Sequence, residues 1–136
     1  MAVYPYFELP SGKRKTYYPI LKVILNYKKT HKITPPIISL VDSGADICMC
    51  SKDIGVWLGI NFKKLKEKIE IRGISNCPVK AVKEYVNLLV NNQEYVCPFY
   101  FSEDYPSNRP LILGQIGFFD HFVVSFDYKN KKFEIK

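Results

Sequence analysis

The run Ile37-Ile38-Ser39-Leu40-Val41-Asp42-Ser43-Gly44-Ala45-Asp46 decides how this chain is read. Pro35-Pro36 precede it, and Ile37 to Val41 is short, apolar and rich in β-branched residues, as in a strand covered on both faces. The strand stops at Asp42-Ser43-Gly44, three residue types that favour turns. By itself this is a simple turn after a strand. Far downstream, Leu111-Ile112-Leu113 is a second very short apolar run, ending at Gly114. It too reads alone as a buried strand with a C-terminal glycine. The informative feature is their order, with a glycine-containing hairpin between them.

Working outward, residues 17–27 alternate: Leu21, Val23, Leu25 and Tyr27 share one face, Lys22 and Asn26 the other, the period-two pattern of a half-buried strand. Residues 1–16 mix Pro5, Pro10, Ser11 and Gly12 with Lys13-Arg14-Lys15 and show neither period. They are expected to form a mobile N-terminal arm, leaving 17–136 as a single domain. Ser51 caps a short helix over 52–58, with Asp53 near the positive end of its dipole, Trp57 on its apolar face and Gly59 as its stop. A strand over 66–73 has one wet face (Lys68, Glu70, Arg72) and runs into the turn chemistry of Gly73-Ile74-Ser75-Asn76-Cys77-Pro78. Strands follow over 79–90 and 94–101, joined by Asn91-Asn92. Residues 115–121 read as one or two helical turns, before last strands over 122–128 and 132–135. About seven or eight strands and one or two short helices predict a mostly-β domain, a small closed β-barrel.

At 136 residues the chain has room for one domain and excludes a two-lobed enzyme. Lys and Arg total 20 against 13 Asp and Glu, a net +7, which raises nucleic acid as a partner. The positions argue against it: the lysines fall on separate turns and wet strand faces, and the aromatics fall mostly on apolar faces rather than beside a charge cluster. No stretch approaches the ~20 apolar residues of a bilayer span, and the N-terminus lacks a signal-peptide pattern, so no membrane is expected. Cys48, Cys50, Cys77 and Cys97 lack the paired spacing of a zinc site. They read as buried free thiols in a reducing cytoplasm, with no metal and no cofactor.

A strand ending in Asp-Ser-Gly-Ala, a downstream hairpin with Gly73 at its turn, and Ile112-Leu113-Gly114 leading into a short helical segment together resemble the retropepsin-like aspartic proteases, the retroviral enzymes and their single-domain prokaryotic relatives. The likeness runs from about Tyr17 to Lys136. It implies a retropepsin-like acid-protease barrel. It places Asp42 as the catalytic aspartate and Ser43 and Gly44 as supports of the active-site loop. Ala45, Asp46 and the flap residues Gly73, Ile74 and Ser75 then contact substrate. Gln115 stands where many relatives carry an arginine after the glycine. Asp46 either binds substrate backbone or caps its own loop.

These residue types suit the implied chemistry. Peptide hydrolysis by two carboxylates needs one ionised group to take a proton from water and one protonated group to polarise the carbonyl. The chain holds one Asp-Ser-Gly, so the second carboxylate must come from a second subunit. The expectation is an aspartic endopeptidase acting on peptide or protein substrates as a homodimer, with one Asp42 from each chain. The alternatives are a catalytically silent peptide-binding module on the same fold and a small basic RNA-binding barrel.

Overall fold

A computed structural model describes residues 2–65, 68–72 and 77–136. Thirteen strands and one helix are found among them. The strands are β1 (Ala2–Pro5), β2 (Phe7–Ser11), β3 (Arg14–Tyr18), β4 (Ile20–Tyr27), β5 (Lys32–Ile33), β6 (Ile37–Val41) and β7 (Cys48–Ser51). After α1 (Lys52–Trp57) come β8 (Lys68–Arg72), β9 (Pro78–Val90), β10 (Gln93–Ser102), β11 (Leu111–Leu113), β12 (Val124–Asp127) and β13 (Lys132–Ile135).

The order β4-β6-β11-β7-β10-β9, with β9 pairing back onto β4, closes a six-stranded barrel, and β5 and β8 extend it at its margins. The expected alternation accounts for its interior: Leu21, Val23, Leu25 and Tyr27 of β4 are buried, as are Val86, Leu88 and Val90 of β9. Phe99 and Phe101 of β10 fill the space between, with no measurable exposure beyond 1%. Asn91 and Asn92 join β9 to β10 at φ 53° and 61°, the left-handed values that a tight hairpin requires and asparagine tolerates.

Residues 2–18 form three strands, although the sequence shows no period over 1–16. β1 pairs antiparallel with β13, and β2 and β3 form a hairpin turned at Gly12. Aromatic packing holds the segment down: the Tyr4 ring stacks on Phe133 at 5.5 Å, and Tyr6 meets Tyr128 edge-on at 5.8 Å. Pro19 divides the single strand expected over 17–27.

The helix lies where its signals put it. The Ser51 side chain accepts from the Asp53 N–H, and Gly59 follows at φ 78°. Trp57, expected on the apolar face, is instead 53% exposed. The helix packs through Gly55, where an added Cβ would lie 2.4 Å from the Phe62 ring and 2.9 Å from that of Phe101. Residues 115–121 form successive turns rather than a regular helix, because Gly117 sits at φ 107°, outside helical space. Cys48, Cys50 and Cys97 are buried as expected, whereas Cys77 is exposed.

Candidate active site

Two parallel strands create the site. β6 and β11 run side by side, with Val41 opposite Leu113 as their last pair, so the chain leaves both strands at the same end. Asp42 follows one strand and Gly114 the other. The loop over 42–47 is then bonded to residues 113–116 at four points. The Asp42 N–H donates to Leu113 O at 3.0 Å, Gln115 N–H to Ala45 O at 2.8 Å, Ile116 N–H to Asp46 O at 3.0 Å, and the Gln115 side-chain Nε2 to Ser43 O at 2.9 Å.

The loop also braces itself. Gly44 N–H donates to Asp42 Oδ1 at 3.0 Å, and Ala45 N–H to Asp42 O at 3.2 Å, the closing bond of a turn. One carboxylate oxygen of Asp42 is thereby oriented by its own loop. Asp42 is half-buried, while Ser43, Gly44 and Asp46 are exposed. The tip of the turn faces outward from the barrel.

Gly114 explains why this position has no side chain. A Cβ there would stand 2.2 Å from Ile47 O and 2.7 Å from Ala45 O, well inside contact distance of backbone that cannot rotate away. Behind it, Gly114 N–H points to Cys48 Sγ at 3.4 Å, and the Cys48 thiol is held below its ordinary range chiefly by its hydrogen bond with Cys97. Cys97 is pushed up by the same bond and by burial. This pair is a buried brace for the loop.

Of the residues expected at the site, Asp42, Ser43, Gly44, Ala45 and Asp46 are consecutive on this loop. Gly73, Ile74 and Ser75 lie outside the described residues; the strands leading to them, β8 and β9, pair from Lys68 opposite Val82 to Arg72 opposite Pro78. Among the described residues, the Asp46 carboxylate makes no hydrogen bond or ion pair, so it does not cap its own loop. No group of three or more His, Cys, Asp or Glu among the described residues is arranged to hold a metal ion.

Sequence reasoning left the role of Gln115 open and did not single out Tyr105. Gln115 was visible only as a missing arginine, and its bond to Ser43 O spans 72 positions. Tyr105 belongs to the loop between β10 and β11. Its phenol pKa is raised mainly by burial, against a lowering by Arg109, with smaller raising effects from Cys50 and Asp42. Its hydroxyl donates to Pro110 O at 2.5 Å.

No protein-family model and no curated protein matches the chain. Among solved structures it is similar to a retropepsin-like aspartic protease from Rickettsia conorii, with 17% identity and a TM-score of 0.60 over 86% of this chain and 89% of that one. It also matches EIAV protease complexed with the inhibitor HBY-793, at 19% identity and a TM-score of 0.49 over 72% of this chain and 82% of that one. The closed six-stranded barrel and the first of these likenesses identify the fold as retropepsin-like.

Proposed function

We propose that the chain is an aspartic endopeptidase that works as a homodimer, each subunit contributing Asp42 to one catalytic pair. The observation that carries this reading is the loop geometry: a half-buried aspartate whose Oδ1 is oriented by Gly44 N–H, on a turn bonded at four points to the last residue of a parallel strand and the residues after it. A general acid or base has to be held still at the position where a proton moves. The sequence holds one Asp-Ser-Gly, so the second carboxylate is to come from a second copy of the chain. Two such loops facing each other across a two-fold axis supply it.

Two carboxylates about 3 Å apart cannot both ionise, so the pair shares one proton and titrates as a unit. The ionised member takes a proton from water as it attacks the scissile carbonyl. The protonated member donates to the carbonyl oxygen, and the tetrahedral intermediate then collapses with protonation of the leaving nitrogen. Ser43 and Gly44 keep the loop in place, Ala45 and the unengaged Asp46 contact substrate backbone, and Gly73, Ile74 and Ser75 close over the peptide as a flap. No cofactor enters this chemistry. A cytoplasmic location fits the free thiols.

The test is a mixed peptide library incubated at mildly acidic pH with wild type and Asp42→Asn side by side, together with sedimentation of both. Cleavage by wild type alone, from proteins that both sediment as dimers, is the expected result. Equal cleavage by the two proteins overturns the reading. Peptide binding by both without any cleavage favours the silent binding module.

A further inference from the structure

The N-terminal hairpin leaves three large apolar side chains in water: Phe7 is 52% exposed, Leu9 44% and Tyr18 39%. They share one face, since Phe7 pairs with Tyr18 across the hairpin and Leu9 lies two residues along from Phe7. Tyr17, on the other face, packs edge-on against Tyr128 and so helps fix the hairpin to the body of the domain. The exposed face does not look out over open surface. It forms one wall of a groove of about 640 Å³.

The groove runs over the strands that precede the Asp42 loop, though no residue of 42–46 lines it. Leu40 and Ile112 lie in it as a cross-strand pair, one position before the last pair of β6 and β11 and two residues before Asp42. Arg109 is the one charged residue among the described residues lining the groove. Among the described residues no carboxylate lines it and Arg109 forms no ion pair. An apolar trough with a single cation at its edge suits a large apolar side chain and disfavours a basic one.

We propose that the β2–β3 hairpin is a specificity element of the active site, with Phe7, Leu9 and Tyr18 forming the wall that receives a large apolar or aromatic side chain of the substrate within a few residues of the scissile bond. This rests on the protease reading for its substrate. It also makes a binding claim that can be measured without catalysis. The hairpin positions and selects the peptide; it takes no part in bond breaking.

The experiment compares wild type with Leu9→Asp and Leu9→Met, all checked for unchanged thermal unfolding. Leu9 is exposed, so its replacement leaves the core intact. With a peptide library, Leu9→Asp should lower the preference for Phe or Leu over small residues beside the cut about tenfold, through KM rather than kcat, while Leu9→Met retains it. In parallel, a neutral fluorescein-labelled peptide with Phe at its centre is titrated into Asp42→Asn and into Asp42→Asn/Leu9→Asp. The second protein should bind about tenfold more weakly.

Cleavage with unchanged preference overturns this inference and leaves the protease reading standing. Hairpin-dependent binding with no cleavage by wild type overturns the protease reading and upholds the hairpin's role. Equal peptide affinity in the two Asp42→Asn proteins, or no binding by either, overturns the inference.

Discussion

Replacing Gly114 by alanine tests how tightly the Asp42 loop is held. The new Cβ would stand 2.2 Å from Ile47 O and 2.7 Å from Ala45 O, so the loop must retreat by about 1 Å to restore ordinary contacts. That retreat pulls on the Gln115 N–H to Ala45 O bond at 2.8 Å and the Ile116 N–H to Asp46 O bond at 3.0 Å. Overpacking contributes about 1–3 kcal/mol and the two weakened hydrogen bonds about 1 kcal/mol each, a combined loss of about 3–5 kcal/mol. For a domain of this size the melting temperature then falls by roughly 10–17 °C. Displacing Asp42 by that distance should reduce any peptide cleavage at least about a hundredfold. Urea and thermal unfolding followed by circular dichroism read the stability. Gly12→Ala is the control: it has φ 62° and nothing within 4 Å of an added Cβ, so only backbone strain of about 1 kcal/mol applies. A Gly114→Ala protein within about 0.5 kcal/mol of wild type, or no less stable than Gly12→Ala, refutes the reasoning.

Glu84, nearly buried in the barrel wall, accepts from the Tyr27 hydroxyl at 2.6 Å, from Tyr85 N–H at 2.8 Å and from Lys29 Nζ at 3.3 Å. Burial raises its pKa, but these bonds outweigh burial and bring it below the ordinary 4.5. Its stabilisation is therefore present above about pH 4.5 and lost as pH falls through the lower folded value. Tyr27 is pushed above its ordinary 10.0, mainly by burial and then by Glu84, so its share is present below pH 10.0 and lost only in stronger alkali. Glu84→Gln should cost about 1–3 kcal/mol at neutral pH and flatten the acid limb of a stability-versus-pH curve; an unchanged acid limb counts against the assignment. Gln115→Ala removes the 2.9 Å bond to Ser43 O, at an exposed position, and should cost about 0.5–1 kcal/mol in urea unfolding while slowing peptide cleavage. Cleavage and stability both equal to wild type would show that the bond does not hold the loop.

Local chemistry made part of this molecule legible in its sequence. The Asp42 turn, the Leu111–Gly114 run, the Asn91-Asn92 hairpin and the Ser51-capped helix each carry their signal within a few residues, and each lies where that signal put it. What was not legible depends on distant partners. β1 owes its register to β13, whose residues are about 130 positions away, and Pro5 and its short length hide any period. β7 escaped because all four of its residues are buried, which leaves no alternation to read. Residues 115–121 carry helical spacing, but Gly117 takes a backbone angle that no composition argument reveals. Within the site, the aspartate loop was readable because its residue types have turn and carboxylate chemistry of their own. The groove wall was not, because Phe7, Leu9 and Tyr18 come to line one groove with residues of β6 and β11 only in the folded chain.

The central claim is that each chain carries half of one catalytic pair. Wild type and Asp42→Asn, unfolded together in equal amounts and refolded so that subunits mix at random, test it directly. If both carboxylates are needed, only the wild-type homodimer cleaves, about a quarter of the dimers. Total activity should then be about a quarter of that from the same concentration of wild type, and should follow the square of the wild-type fraction as the ratio is varied. Activity that falls only in proportion to the wild-type fraction, to about one half at equal mixing, contradicts the shared site.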